Sequence, residues 1–195
     1  MRRARSRMRT NAALAVVTTA LGIGFGQSQG HAAVIDRPVY NPQTKSYFEL
    51  VRVSAAEGDV GIAGTEAGMY WSSAQAAAQS RVFKGVHGRL AVVRDLPTTE
   101  WVEVTLQPPS VIWIGLRYVC NIRQLEWSDG TYFKRADWQI WDRHWYQGVG
   151  GFCQSQQSDW AGVTLVTSGQ GVHWISWGFG KTFEYYLVEY PTGAP

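Results

Sequence analysis

Cysteine, charged side chains and long apolar runs are all scarce in this chain of 195 residues. Its two cysteines, Cys120 and Cys153, have no histidines clustered around them, which argues against a zinc site. No apolar run reaches the roughly 20 residues that a membrane-spanning helix requires. Beyond residue 33 the chain also lacks a Gly-x-Ser-x-Gly elbow, a phosphate-binding glycine loop and a His-Glu-x-x-His pair. These absences disfavour the enzyme classes that such motifs mark.

The positive charge of the chain is concentrated at its amino terminus. Five of the 18 basic residues lie among the first nine positions, and the first acidic residue is Asp36. Residues 34–195 therefore carry 13 basic and 15 acidic side chains, a net charge of −2. This slightly acidic part of the chain lacks the basic face that binds nucleic acid, so no nucleic-acid partner is predicted. Ten tryptophans and 21 glycines favour a folded domain over disorder or a coiled coil.

The first 33 residues have the three-part pattern of a secretory signal peptide. Basic residues 1–9 precede an apolar stretch at 12–25, and small residues follow. We expect cleavage after Ala32 or Ala33 and export to the periplasm, the cell surface or the medium, with no membrane span left. Retention as a membrane anchor is the alternative. In an oxidising compartment the two cysteines are expected to pair, which would contribute about 3–4 kcal/mol to stability.

Two helices are predicted in the first half of the chain. The first runs from Trp71 to about Ser80; Ser72 is a candidate cap, and Trp71, Ala74 and Ala78 share one face at helical spacing. The second begins near Pro97, has Glu100 in its first turn, turns Trp101 and Val102 inward, and ends at the Pro108-Pro109 pair.

Strand patterns dominate the rest of the chain, which predicts an α+β fold with antiparallel sheet. A polar leader, residues 34–46, precedes the first strand, and residues 191–195 form a tail. Residues 131–159 have no clear period and are interpreted as a long ordered loop. The predicted strands are 47–53, 89–93, 111–116, 125–127, 161–166, 172–177 and 185–190.

Several short motifs also occur in a characteristic order along the chain. They are Tyr47-Phe48-Glu49-Leu50, Trp71-x-x-Ala74, His87-Gly88-Arg89-Leu90-Ala91, Glu100-Trp101, Trp113-Ile114-Gly115-Leu116, Trp127-Ser128-Asp129-Gly130 and Tyr186-Leu187-Val188-Glu189-Tyr190. In this order and spacing they resemble a C-type lectin-like domain over residues 47–190. The resemblance implies two helices packed on small antiparallel sheets, with a long loop that supplies the ligand surface. It implies recognition of a carbohydrate or of a protein, since members of this fold bind both.

The chain departs from that family at its calcium site. Members that bind sugar through calcium use a Glu-Pro-Asn or Gln-Pro-Asp triplet in the long loop and a Trp-Asn-Asp triplet on the next strand. Here no proline lies between Pro109 and Pro191, and the matching strand reads His173-Trp174-Ile175-Ser176. Calcium needs six to eight oxygen ligands, so the resemblance implies that this site is missing. No metal or other cofactor is predicted.

Aromatic and polar residues crowd the predicted long loop. Aromatic faces pack on sugar rings and anchor protein interfaces, while polar neighbours orient the ligand. We assign Trp138 to the core, and the alternative for all the loop aromatics is that they fill a second core. The predicted ligand-binding residues, here called the loop patch, are Trp141, Asp142, His144, Trp145 and Tyr146.

The leading hypothesis is an exported, non-catalytic recognition module that binds a carbohydrate or protein, as in adhesion, without calcium. One alternative is a structural subunit of an envelope or extracellular assembly, which would self-assemble through the same loop. The other is a hydrolase that uses two carboxylates across a cleft, with Asp142 and Asp159 as candidates.

Overall fold

The computed structural model describes residues 37–58, 68–134, 137, 140–141, 153, 159–168, 171–178 and 180–195. The predicted signal peptide lies outside these residues. Within them, no helix is long and apolar enough to cross a membrane. The described elements are β1 (Val39–Asn41), β2 (Ser46–Arg52), α1 (Trp71–Ser80), β3 (Val82–Phe83), β4 (Val86–His87), β5 (Arg89–Leu90), α2 (Leu96–Trp101), a π-helical turn (Val102–Leu106), β6 (Ile112–Val119), β7 (Gln124–Trp127), β8 (Trp160–Ser168), β9 (Gly171–Trp177) and β10 (Tyr185–Tyr190).

Eight of the described strands form one sheet in the order β1-β2-β10-β6-β8-β9, with β5 beside β10 and β7 beside β6. The strand pairs of this sheet are antiparallel as predicted, except that β10 runs parallel to β6. All six residues of β10 are buried, as is typical of a strand covered on both faces. The carboxyl-terminal strand is therefore central to this mixed sheet, while β3 and β4 form a separate, small antiparallel sheet.

The sheet has a hydrophobic core on each face because side chains alternate along its strands. We call one side the α1 face: there α1 packs against Trp113, Tyr186 and Val188. On the opposite side, the α2 face, the turn after α2 packs with Leu187 and Trp174. Neighbouring residues of β10 thus point into different cores, and the two faces offer separate places for a ligand.

The first helix forms on the predicted face but begins differently at its amino terminus. Trp71, Ala74 and Ala78 are all buried, as their spacing predicts. Ser72 does not cap the helix: the capping position is Tyr70, and its side chain makes no capping hydrogen bond. The indole Nε1 of Trp71 instead donates to the carbonyl oxygen of Ile114 at 2.8 Å, which fixes the start of α1 to β6.

The second helix begins one residue earlier than predicted, because Asp95 caps it. The Asp95 carboxylate accepts a hydrogen bond from the backbone N–H of Thr98 at 2.7 Å, and Pro97 lies in the first turn. Trp101 is half-buried and Val102 is buried, so both face inward as predicted. The helical path ends where Gln107 adopts a left-handed conformation, directly before Pro108.

The segment predicted as an irregular leader contains β1. Val39–Asn41 pairs with the start of β2, and the rings of Tyr40 and Tyr47 lie 5.1 Å apart between centroids. The sequence pattern did not predict this strand, because Pro38 and Pro42 lie on either side of it. It forms because β2 offers an edge with which to pair.

Candidate functional site

The later part of the long loop is joined covalently to the end of β6. Cys120 and Cys153 form the predicted disulfide, with their Cα atoms 5.5 Å apart. Cys120 directly follows β6, and its backbone N–H also donates to the carbonyl oxygen of Asp159 at 2.8 Å, just before β8. The chain therefore leaves β6 and returns to β8 at one fixed point.

A cluster of aromatic rings supports the middle of the loop on the α2 face. Trp174 of β9 has none of its surface exposed. The rings of Trp127, Phe133 and Trp141 meet it edge to face, with centroid distances of 5.8, 6.2 and 5.3 Å. We call these four residues the Trp174 cluster. Edge-to-face pairs of this kind add about 0.5–1.5 kcal/mol each to the free energy of burial.

Trp141 connects this cluster to the loop patch. The backbone N–H of Trp174 donates to the carbonyl oxygen of Ile140 at 2.7 Å, so the loop runs alongside β9 at this point. Trp141 and Trp145 are four residues apart and flanked by charges in the sequence, which favours their exposure, but the structure shows Trp141 half-buried. Its side chain thus both anchors the loop and retains a surface that a ligand can reach.

The other residues of the loop patch lie outside the described part of the chain. These residues are Asp142, His144, Trp145 and Tyr146, and Trp138 is also outside it. Of the predicted carboxylate pair only Asp159 is described, and it is exposed. The loop patch and the carboxylate pair therefore stay predictions.

A charged turn leads into the Trp174 cluster after β7. The guanidinium of Arg94 contacts the carboxylate of Asp129 at 2.6 Å and lies over the ring of Trp127, 5.8 Å from its centroid. Burial opposes the charge of Asp129, but hydrogen bonds from the Thr131 hydroxyl and N–H, together with Arg94, outweigh it and lower the pKa of the carboxyl. Asp129 is therefore ionised at neutral pH and holds the turn in place.

On β9, the residues at the positions of the family's Trp-Asn-Asp triplet are poor calcium ligands. Ile175 supplies an apolar side chain, and Ser176 is 4% exposed. The backbone carbonyl of Ile175 already accepts a hydrogen bond from the hydroxyl of Thr164 at 3.2 Å. Across the described ranges, no three His, Cys, Asp or Glu side chains come together as metal ligands would. This strand offers too few oxygen ligands for calcium.

Comparison with known proteins gives one family. The sequence model of the Lectin C-type domain matches residues 68–175. No curated protein matches the chain. The fold is similar to the C-type lectin domain of murine dendritic cell inhibitory receptor 2, solved in complex with an N-glycan: 14% identity, 77% of this chain, 94% of that chain and a TM-score of 0.50. It is also similar to the carbohydrate-recognition domain of cow CD23, solved with a GlcNAc2Man3 oligosaccharide: 14% identity, 78% of this chain, 91% of that chain and a TM-score of 0.50.

Proposed function

This chain belongs to the C-type lectin domain family, and we propose that it is an exported recognition module that binds its ligand at the loop patch without calcium. Domains of this family are generally non-catalytic recognition modules and are typically extracellular or secreted. The observation that carries the proposal is the double attachment of the loop. The disulfide ties the later part of the loop to the end of β6, and Trp141 holds the loop against Trp174.

This attachment matters because binding costs entropy when a loop must first be ordered. A loop fixed at two points, here Trp141 and Cys153, loses less freedom on binding, so more of the contact energy appears as affinity. Carbohydrate is the first ligand class to test, since the two solved domains described above were determined with oligosaccharides. Aromatic side chains of the loop patch would pack on the apolar face of a sugar ring.

We predict that Trp145→Ala lowers the affinity for the ligand by about 2 kcal/mol or more, that is, by about 30-fold. A glycan array together with a protein pull-down identifies the ligand. Titration calorimetry then measures the dissociation constant of that ligand for the wild type, for Trp145→Ala and for Trp141→Ala. Trp141→Ala should also lose binding, but it should lower the melting temperature too, because Trp141 packs on the core.

Tyr132→Ala provides the matched control, since Tyr132 is 51% exposed and lies outside the loop patch. It should bind as the wild type does. Normal binding by Trp145→Ala and Trp141→Ala, with both proteins folded, would place the functional surface elsewhere.

We also predict that calcium does not stabilise the protein. A ligand that binds only the folded state raises the melting temperature, so a missing site leaves that temperature the same in EDTA and in millimolar calcium. We expect the site to be missing because, where the family has calcium ligands, the side chain of Ile175 is apolar and Ser176 is buried. Differential scanning calorimetry provides the measurement, and a rise of several degrees with calcium would contradict the proposal.

A further inference from the structure

A cavity of about 140 Å³ opens on the α1 face, at the start of α1 and beside the ends of β8 and β9. Its walls include the indole rings of Trp71, Trp113, Trp160 and Trp177. An engineered protein cavity of about 150 Å³ holds one benzene molecule, so this space fits a single six-membered ring. We call it the α1 cavity.

The α1 cavity is separate from the Trp174 cluster. Trp71 and Trp113 belong to the core on the α1 face, while Trp141 and Trp174 belong to the core on the α2 face. The sheet lies between these two cores. A ligand in the α1 cavity would therefore not use the surface assigned above to the loop patch, and this inference goes beyond the proposed function.

The walls of the cavity are fixed before any ligand arrives. The indole Nε1 of Trp71 is bound to the Ile114 carbonyl, as described above. That of Trp113 donates to the carbonyl oxygen of Met69 at 2.7 Å, and that of Trp177 to the hydroxyl of Thr164 at 2.8 Å. Three indoles thus have their polar atoms satisfied within the protein. These side chains therefore offer aromatic carbon to the cavity. Because they are already held in place, little conformational entropy is lost when a ligand binds.

A glycine lets one of these walls lie close to the sheet. A Cβ atom on Gly162 would lie 2.6 Å from the ring of Trp71, so only glycine allows that ring to pack against β8. Gly178 and Gly180 also line the space. Gly162 therefore allows the Trp71 wall of the cavity to lie directly on the sheet.

Positive charge lies at the rim of the cavity. The ammonium group of exposed Lys181 is 5.6 Å from the ring centroid of Trp177, and no carboxylate pairs with it in the part of the chain that the structure describes. The guanidinium of Arg117 also lies over Trp71, but it is paired with Glu126 at 2.7 Å. Lys181 is therefore the charge available to a ligand, and it disfavours a cationic one.

From the ring-sized aromatic walls and the lysine at the rim, we infer that the α1 cavity binds a six-membered ring that carries a carboxylate. The ring lies among the indole faces, and its carboxylate contacts Lys181. An aromatic acid and an acidic sugar share this chemistry, because both combine an apolar face with a negative charge.

Nuclear magnetic resonance titration of the whole protein with sodium benzoate and with sodium glucuronate tests this inference. At least one of the two should shift the indole N–H signals of Trp71 and Trp177, and the tighter of the two identifies the source of the ring. Lys181→Gln should weaken that binding about tenfold, since it removes a charge-assisted contact. Lys134→Gln, at another exposed lysine, is the matched control and should bind as the wild type does.

Lys181 is exposed, so its substitution does not threaten the fold. The inference is overturned if neither acid shifts these signals at 50 mM, a concentration about fivefold above the 10 mM dissociation constant expected for so small a ligand. It is also overturned if Lys181→Gln binds as tightly as the wild type. Trp145→Ala should bind both acids normally, which distinguishes a failure here from a failure of the loop patch.

Discussion

Replacing Glu189 by leucine is expected to lower the free energy of unfolding by about 3–5 kcal/mol, because the substitution breaks a buried ion pair. Glu189 on β10 is a buried residue, only 4% exposed. It accepts hydrogen bonds from the hydroxyl of Ser46 at 2.8 Å, from Nε of Arg89 at 3.1 Å and from the backbone N–H of Val92 at 3.1 Å. Leucine would leave all three donors without this acceptor.

Urea unfolding measures this effect against two companion variants. Glu189→Gln keeps a side-chain oxygen but loses the charge, so we expect an intermediate loss that is measurable even if the leucine variant does not fold. Glu100→Leu makes the same change at an exposed glutamate of α2, where a shift within about 0.5 kcal/mol is expected. A loss below about 1 kcal/mol for Glu189→Leu would contradict the role given to this carboxylate.

Removing the disulfide should have the second largest effect on stability. Cys120 and Cys153 are 33 positions apart, and closing a loop of that length stabilises a protein by about 3–4 kcal/mol in the chain-entropy model. The double variant Cys120→Ala, Cys153→Ala should lose about that much in urea unfolding. It should also bind the ligand more weakly, because the freed loop must be ordered on binding.

A reducing agent provides the matched control for the disulfide. Dithiothreitol should destabilise the wild type by the same amount and leave the double variant unchanged. Equal stability of the double variant and the oxidised wild type would show that the bond does not hold the loop in the way described.

The elements of this fold could be predicted where local pattern decides structure. The spacing of Trp71, Ala74 and Ala78 predicted the buried face of α1, and the apolar run at 111–116 predicted much of β6. The Asp95 cap was missed because Pro97 gave the stronger signal of a helix start. The parallel pairing of β10 with β6 was missed because it joins segments about 70 residues apart, which no local period reports.

The sites were less predictable than the fold. The cysteine count and the export signal predicted the disulfide, but nothing local indicated that Trp141 packs on Trp174. The α1 cavity was also missed, because its walls come from α1, β6, β8 and β9. In the sequence each of its tryptophans resembles an ordinary core residue, and only the packing of the sheet brings them together.

Hydrogen–deuterium exchange with and without the ligand identified by array or pull-down tests the central claim most directly. The account predicts slower exchange in peptides that cover residues 138–153, where the loop patch lies. Exchange in α1, which packs on the opposite face of the sheet, and in β10, an inner strand, should not change. Protection confined to peptides outside residues 138–153 would contradict the assignment of ligand binding to the loop patch.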